Sequence, residues 1–354
     1  MSPAGEVVLL ERLADVAGLL GRTADAFAVL RRVERRTTTK EQAYFDLELA
    51  DTSATVDGKV WKDQKKAFAA MEQLTAGQAV KLRFAVTSYH DAPQLRVLDV
   101  RPARDDDPGY DASLLFGRTP PWLHARACRT LVIDIETVPD TGIREMPPTI
   151  VKALTEFSKR KEMDESLVRG LSPFFATVVA LAFAEADGDD DAPIEVLAVP
   201  RNEDEAATLP DWAHAVDEAT LLESFWSLAA AARTVVTYNG MGFDVPFLVG
   251  RSLAHGILAR VDLLSQRFKL RPHLDLLEIL GQRGRGPSNL DVVCWALGIE
   301  SPKGEMDGSM VAPAYASGRI AEIATYNRAD VRATRAVYRR VRDLLLRFRT
   351  DWSD

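Results

Sequence analysis

Two carboxylates separated by a single residue stand in a strongly apolar stretch of the chain. Residues 131–137 read Leu-Val-Ile-Asp-Ile-Glu-Thr, and the β-branched residues around Asp134 and Glu136 predict a buried strand. Side chains two positions apart on a strand point to the same face, so the two acids would stand side by side. Because crowded carboxylates repel each other and oxygen ligands suit Mg²⁺ or Mn²⁺, the pair indicates a divalent-metal site. The alternative is a strand that runs into solvent with two surface acids.

A third acid follows a second apolar stretch. Residues 234–238 predict a strand, and Gly240 and Gly242 permit a tight turn from this strand into a helix. Asp244 would then lie at the N-terminus of that helix, where the helix dipole and free N–H groups favour an ionised carboxylate. A simple helix cap is the alternative interpretation of Asp244.

A tyrosine and a fourth acid share a predicted helix near the end of the chain. Apolar residues such as Val337 and Val341 recur at helical spacing and predict a helix over residues 320–346. Tyr326 and Asp330 are four residues apart, so they would share one face of this helix. The alternative is an exposed aspartate beside a half-buried tyrosine.

The segments that carry these acids are predicted to form an α/β domain. A polar, largely helical stretch over 149–170 precedes two predicted strands, 176–183 and 194–199, which form a hairpin across an acidic loop. A helix over 218–232 follows. Together with the strands already described, this order predicts a mixed sheet flanked by helices.

The acids form three motifs in a fixed order along the chain. Asp134-x-Glu136, Asn239-Gly240-x-x-Phe243-Asp244 and Tyr326-x-x-x-Asp330 resemble the motifs of the DEDD exonuclease superfamily in its tyrosine subclass. The resemblance is to the proofreading-exonuclease domain of family B DNA polymerases and its free-standing bacterial relatives. It covers about residues 128–348 and implies a ribonuclease H-like fold. Further support comes from Leu171-Ser172-Pro173, His273-Leu274-Asp275-Leu276 and Lys303-Gly304-x-Met306-Asp307-Gly308.

The resemblance implies a metal-dependent 3'-5' exonuclease that hydrolyses single-stranded nucleic acid, DNA in preference, to nucleoside 5'-monophosphates. Asp134, Glu136 and Asp330 would hold one Mg²⁺ or Mn²⁺ ion. Asp134 would bridge to a second ion, which Asp244 would also reach, and the Tyr326 hydroxyl would orient the attacking water. The expected partner is the 3' end of single-stranded DNA or RNA.

Three further residues are expected to bind the terminal nucleotide. Asn239 would hydrogen-bond to it, Phe243 would pack against it, and Lys303 would contact phosphate. The alternatives are that Phe243 belongs to the core and that Lys303 is a solvated loop residue. Asp275 is expected to be a structural carboxylate rather than a metal ligand.

The first third of the chain reads as a small β-barrel. Three predicted strands, a helix and two further strands follow one another, which is the order of an OB-fold. The turn between the last two strands is expected at Asp91-Ala92-Pro93. The five strands and the helix cover residues 27–36, 44–49, 54–61, 65–74, 79–89 and 94–100.

This region resembles OB domains that bind nucleic acid, through its arginine-rich first strand, residues 44–51, Gly58-Lys59-Val60-Trp61 and residues 94–97. Single-stranded nucleic acid would stack on aromatic rings and pair its phosphates with cations. The alternative is that Trp61 and Phe45 are core residues and the arginines form a solvated face. The candidate contacts are Arg31, Arg35, Arg36, Tyr44, Lys59, Trp61, Lys81, Arg83 and Tyr89.

Charge and composition bear on the domain organisation of the chain, its mode of binding and its location. We expect an OB-fold nucleic-acid-binding domain over 1–104, an exposed linker rich in charge, Pro and Gly over 105–127, and a ribonuclease H-like exonuclease domain over 128–354. A net charge of −8 argues against a protein that coats nucleic acid through bulk electrostatics. With no membrane-length apolar run, no secretory signal and two isolated cysteines, Cys128 and Cys294, a cytoplasmic protein is expected.

Three other functions remain open at this point. An RNA 3'-5' exonuclease would use the same acids on another substrate. A catalytically silent nucleic-acid-binding protein would keep the fold without activity, although the complete set of acids weighs against it. A ribonuclease H-type endonuclease is disfavoured by the pairing of Tyr326 and Asp330 on one helix. No protein partner is predicted.

Overall fold

A computed structural model describes residues 7–89, 92–142, 145–189, 191–265, 269–281, 288–301, 306–349 and 352. The chain divides into two compact units, Met1–Ala127 and Cys128–Asp354. Each unit contains a six-stranded sheet. Within the described residues, helices lack the combination of length and apolar character that crossing a membrane requires.

The first unit is built almost entirely from strands. Five of them, β2 to β6, close into a barrel because β2 pairs with both β3 and β5, and this barrel fits an OB-fold. The predicted order of three strands, one helix and two strands is confirmed. The elements are β1 (Val8–Leu10), β2 (Thr23–Thr37), β3 (Ala43–Ala50), β4 (Thr55–Trp61), α1 (Lys65–Met71), β5 (Ala79–Tyr89), β6 (Ala92–Pro102) and α2 (Ala112–Phe116).

Alternating side chains fill the barrel. On β3, Phe45, Leu47 and Leu49 are buried in the core, while Asp46 and Glu48 between them are half-buried on the opposite face of the strand. Gly58 of β4 faces the same core, and a Cβ atom there would come within 2.8 Å of the Leu49 side chain. The Leu49 side chain would therefore have to shift to admit a larger residue at position 58.

Two segments of the first unit differ from expectation. The predicted turn at residues 91–93 is wrong for Ala92 and Pro93, which begin β6, and Asp91 lies outside the described residues. The segment 105–127, expected as an exposed linker, contains α2 and a 3-10 helix at Pro121–Arg126. Leu115 and Phe116 are buried in a small cluster there, because β2 offers apolar side chains on its outer face.

The second unit alternates strands and helices. Its strands are β7 (Thr130–Pro139), β8 (Ala176–Glu185), β9 (Glu195–Ala198), β10 (Ala213–Ala215), β11 (Thr234–Thr237) and β12 (His273–Asp275). Its helices are α3 (Pro148–Lys161), α4 (Glu165–Gly170), α5 (Glu203–Ala206), α6 (Glu218–Ala231), α7 (Asp244–His255), α8 (Leu276–Leu280), α9 (Leu290–Leu297), α10 (Val311–Ala316) and α11 (Ile320–Leu344).

The sheet of the second unit is mixed, as the sequence predicts. Its strand order is β10-β9-β8-β7-β11-β12, and β8 runs antiparallel to both of its neighbours while the other pairs are parallel. The predicted hairpin of β8 and β9 is confirmed. Because β7, β11 and β12 run in the same direction, the residues that follow β11 and β12 meet at one edge of the sheet.

Helix α11 covers the face of the sheet on which the acids of β7 lie. Val132 of β7 belongs to the same core cluster as Val331 and Val337 of α11. Asp134 and Glu136 share the face of Val132, because they follow it at two-residue spacing. Arg328, Arg335 and Arg339 of α11 also donate hydrogen bonds to backbone carbonyl oxygens between residues 186 and 194. These bonds fix the helix against the connection between β8 and β9.

Candidate metal-binding active site

Three carboxylates converge over the centre of β7. One oxygen each from Asp134, Glu136 and Asp330 lie within 4.8 Å of one another. The first two residues come from β7 and the third from α11, so the group forms only when the helix packs on the sheet. A β-bulge follows directly after Glu136, where the register with β8 shifts before Thr137. A bulge bends the strand, and such bends often aim a side chain beside a functional site.

Asp244 reaches the same strand from the edge of the sheet. It is the first residue of α7 and only 3% exposed. Its Oδ1 atom accepts a hydrogen bond of 3.2 Å from the backbone N–H of Ile135, the residue between Asp134 and Glu136. Asp244 is not one of the three acids whose oxygens lie within 4.8 Å, but it is bonded to the backbone that carries two of them.

Burial and mutual repulsion disturb the ionisation of this cluster. Burial, followed by repulsion from the neighbouring acids, raises the pKa values of Asp134 and Glu136 well above their usual range. Burial also raises the pKa of Asp244 to about 7, although hydrogen bonds from its own N–H and from that of Ile135 oppose the change. A hard divalent cation such as Mg²⁺ or Mn²⁺ suits buried carboxylate oxygens that repel one another, because its charge offsets the repulsion.

Tyr326 lies at the border of the acid cluster. Its half-buried side chain is hydrogen-bonded to Asp330, one helical turn further along α11. Burial and the negative charges of Asp330, Glu136 and Asp134 raise the pKa of its hydroxyl group. The phenol therefore stays protonated at neutral pH and is a hydrogen-bond donor rather than a base.

Asn327 is part of the site although the sequence pattern did not single it out. Its side chain is fully buried, and its Nδ2 atom donates a 2.7 Å hydrogen bond to Oδ2 of Asp134. The signal available in the sequence was an uncharged polar residue between Tyr326 and Asp330 on the buried face of the predicted helix.

The loop after β11 is held in place by Asp275. The carboxylate of Asp275 accepts hydrogen bonds from the backbone N–H groups of Asn239 at 2.8 Å and Met241 at 2.9 Å. It also caps α8, as a structural carboxylate is expected to do. Asn239 itself is exposed and has a φ of 68°, a left-handed conformation that Asn tolerates better than most residues. A Cβ atom on Gly240 would run into the side chain of Thr237.

The other two expected nucleotide contacts differ in their placement. Phe243 is half-buried, and its ring centroid lies 5.5 Å from that of Phe247, so part of it packs in the interior. Lys303 lies outside the described residues.

Four of the nine candidates in the barrel lie together on its outer surface. Arg36, Tyr44 and Trp61 are directly opposite one another across β2, β3 and β4. The rings of Tyr44 and Trp61 stack with centroids 4.9 Å apart. The ammonium group of Lys59 lies 5.4 Å from the Tyr44 ring and 5.9 Å from the Trp61 ring. We call these four residues the aromatic row.

The other barrel candidates lie elsewhere. Arg31 is only 4% exposed, so its side chain is largely inaccessible to a polynucleotide. Arg35 pairs with Glu72 at 3.2 Å, beside α1. Lys81 and Arg83 are on β5, which pairs with the first half of β2, whereas the aromatic row uses its second half. The side chain of Tyr89 is outside the described part of the structure.

Residues 171–351 match the family described as a predicted 3'-5' exonuclease related to the exonuclease domain of PolB. The match covers just over half of the 354 residues, and the chain belongs to this family. Asp244, Tyr326 and Asp330 lie inside the matched residues, whereas Asp134 and Glu136 precede them. No curated protein matches the chain.

Several solved structures show weak likeness to the chain. The family B DNA polymerase of Pyrobaculum calidifontis is 14% identical, with 89% of this chain and 45% of the polymerase covered and a TM-score of 0.42. This chain therefore spans less than half of that polymerase. A domain of replication protein A from Methanococcus maripaludis is 13% identical over 24% of this chain and 87% of that domain, with a TM-score of 0.21. Asparaginyl-tRNA synthetase from Pyrococcus horikoshii is 14% identical over 26% of this chain and 22% of the synthetase, with a TM-score of 0.23.

Proposed function

We propose that the chain is a metal-dependent 3'-5' exonuclease that hydrolyses single-stranded nucleic acid, DNA in preference to RNA, to nucleoside 5'-monophosphates. The main support for the proposal is that one carboxylate oxygen each from Asp134, Glu136 and Asp330 lie within 4.8 Å of one another. The chain that carries them belongs to this exonuclease family. Three carboxylates at this separation need a counter-charge to ionise together. The relation of the family to PolB, a DNA polymerase, favours DNA as the substrate.

The three clustered acids and Asp244 would hold two divalent cations, Mg²⁺ or Mn²⁺. Asp134, Glu136 and Asp330 would be the ligands of one, and Asp134 and Asp244 would be the ligands of the other. Such a pair of ions, when bound, lowers the pKa of an attacking water and stabilises the charge on the attacking and leaving oxygens of a phosphoryl transfer. The donor set suits these ions, because it contains only carboxylate oxygens.

The protein's own groups position the reacting atoms. In this reaction a water oxygen bonds to the phosphorus of the last phosphodiester, and the bond to the 3' oxygen of the preceding nucleotide breaks. The Tyr326 hydroxyl is held beside the cluster by its hydrogen bond to Asp330, and its oxygen can still accept a hydrogen bond that orients the water. Asn239, on the loop fixed by Asp275, hydrogen-bonds to the terminal nucleotide, and the exposed part of Phe243 packs against it.

The fold supports the same proposal. A mixed sheet in which β7 carries two of the acids and α11 covers them with Tyr326 and Asp330 is the arrangement that we expect of a ribonuclease H-like domain. We therefore place the chain in the tyrosine subclass of the DEDD superfamily. The motif Tyr326-x-x-x-Asp330 is the basis for the subclass, because both side chains meet at the acid cluster.

The barrel is proposed to bind the strand that the second unit degrades. The aromatic row combines two half-buried rings with two cations, Arg36 and Lys59, and single-stranded nucleic acid binds to such groups by stacking bases and pairing phosphates. Arg36 also pairs with Glu34 at 2.5 Å, so a phosphate would compete with this acid for the guanidinium group. The row is therefore expected to contribute mainly through stacking.

The acid cluster can be tested with isosteric substitutions. Asp330→Asn and Asp134→Asn each remove one charged ligand and keep the shape of the side chain. We expect the rate of nucleotide release in Mg²⁺ to fall by roughly 1,000-fold, because a metal ligand contributes several kcal/mol to the stabilisation of the transition state. Release of mononucleotides from a single-stranded oligonucleotide is the measurement.

A matched control lies on the same helix as Asp330. Glu322 is exposed on α11 and pairs with Arg319 at 3.0 Å, so Glu322→Gln removes an equal charge away from the cluster. This variant is expected to keep the wild-type rate. An Asp330→Asn protein that releases nucleotides as fast as Glu322→Gln would show that the cluster is not the active site.

A further inference from the structure

Asn327 is an uncharged polar side chain that hydrogen-bonds directly to Asp134 of the acid cluster. It is fully buried on α11, between Tyr326 and Asp330. Its Nδ2 atom lies 2.7 Å from Oδ2 of Asp134 on the facing strand β7. A fully buried asparagine is costly unless its amide is used, because an unbonded amide loses its hydration.

The direction of this hydrogen bond follows from the chemistry of the two groups. A carboxylate that binds a cation is ionised and only accepts hydrogen bonds, so it requires the arrangement in the structure, with the NH₂ group of the amide turned towards Asp134. The bond uses one lone pair of Oδ2 of Asp134 and leaves the other lone pairs of the carboxylate for cations. It also fixes the rotation of the carboxylate about its Cβ–Cγ bond, which a short aspartate side chain on a strand would otherwise be free to change.

The other end of the amide is unusual. Its Oδ1 atom is buried and has no hydrogen-bond donor among the described residues. A buried acceptor without a partner costs about 1–3 kcal/mol, so a purely structural asparagine would be a poor choice at this position. An open acceptor beside a carboxylate ligand suits a site that takes a hydrated cation, because waters bound to a cation donate hydrogen bonds.

We infer that Asn327 is a positioning residue for the divalent metal: it holds the Asp134 carboxylate in the orientation that binds the ion. This inference rests on the proposed function of the acid cluster. Groups that hydrogen-bond to metal ligands typically account for 10- to 100-fold in metal affinity or activity. Removal of the Asn327 amide should therefore weaken metal binding by about 10- to 100-fold, without removing any ligand.

The test measures metal binding by the full chain as well as its activity. The dissociation constant for Mn²⁺ is determined by calorimetry for the metal-free wild type, Asn327→Ala and Asn327→Ser, and the Mn²⁺ concentration that gives half-maximal nucleotide release is determined in parallel. Asn327→Ser retains a hydrogen-bond donor and more of the packing, so it serves if the alanine variant does not fold. We expect the affinity for Mn²⁺ to decrease from wild type to serine to alanine, and excess Mn²⁺ to restore most of the activity.

Thr334 provides a matched control for the loss of packing. It is 1% exposed on the same helix, and its Oγ1 atom also has no hydrogen-bond partner among the described residues. Thr334→Ala should lower the melting temperature without changing the affinity for Mn²⁺. An Asn327 variant that binds Mn²⁺ like the wild type, while the wild type is an active nuclease, overturns the inference. A wild type that neither binds Mn²⁺ nor releases nucleotides overturns the proposed function itself.

Discussion

Replacement of Asp244 by asparagine should stabilise the metal-free protein at neutral pH. Asp244 is 3% exposed, and Asp275 and Asp330 add repulsion to the cost of its burial. Asparagine keeps an oxygen that can accept the hydrogen bond from the N–H of Ile135, but it carries no charge. The substitution thus removes the unfavourable charge and retains the local structure at the start of α7.

The magnitude follows from the pKa of Asp244. Burial raises this pKa from 3.8 to about 7, and each pKa unit corresponds to about 1.36 kcal/mol. Because the pKa is higher in the folded than in the unfolded state, the folded protein loses stability as the pH rises from about 4 to about 7. The loss reaches about 4 kcal/mol and is constant at higher pH. Asp244→Asn should therefore equal the wild type near pH 4 and exceed its stability by up to about 4 kcal/mol above pH 7.

The shifts of the neighbouring acids do not simply add to this value. Asp134 and Glu136 also have raised pKa values, and neutralising one acid reduces the repulsion that the others experience. At a pH at which Asp134 and Glu136 are protonated, Asp244→Asn therefore raises the free energy of unfolding by less than about 4 kcal/mol.

The assay is chemical denaturation in EDTA at several pH values between 4 and 8. The chain contains two compact units, so its denaturation curve can show more than one unfolding transition. The transition to compare is the one that Mn²⁺ shifts in the wild type, because Mn²⁺ stabilises the unit that binds it. Glu322→Gln, which removes an exposed acid on α11, is the control and should follow the wild type at every pH. A stability difference between Asp244→Asn and the wild type that does not change with pH would refute the reasoning. A variant that is less stable than the wild type at pH 8 would refute it as well.

Three further outcomes are expected. Tyr326→Phe should lower the turnover rate by roughly 100-fold even at saturating Mn²⁺, because it removes the hydroxyl group that orients the water but no metal ligand; kinetics at several Mn²⁺ concentrations measure this. Trp61→Ala should weaken binding of single-stranded DNA in EDTA by about 1–3 kcal/mol, whereas Arg83→Ala should have little effect, as fluorescence anisotropy would show. Arg251→Met should destabilise the protein by about 3–5 kcal/mol in thermal melting, because it leaves buried Glu218 without its bidentate partner, and adding Glu218→Gln should recover part of the loss.

The four acids and Tyr326 could be placed from the sequence because their surroundings follow simple periodicities. A β-branched stretch fixes the two-residue alternation that puts Asp134 and Glu136 on one face, and helical spacing puts Tyr326 one turn from Asp330. The distance between strand and helix does not follow from either pattern. Only the packing of α11 on β7 brings Asp330 within 4.8 Å of the other two acids.

Asn327 illustrates what periodicity cannot show. A polar residue on the buried face of a helix is visible in the sequence, but its partner is 193 residues away on another element. The same limit applies to the barrel, where Arg31 and Arg36 look alike in the sequence. The first is buried and the second is exposed, because a β-bulge between Leu30 and Arg32 changes the alternation of β2.

The most direct test of the central claim is a time course of hydrolysis on single strands labelled at either the 3' or the 5' end. We predict immediate release of a labelled mononucleotide from the 3'-labelled strand, stepwise shortening of the 5'-labelled strand, faster reaction with DNA than with RNA, and no reaction in EDTA. Cleavage within the strand, release from the 5' end, or a reaction that persists in EDTA would contradict the assignment of the acid cluster as a metal-dependent 3'-5' exonuclease site.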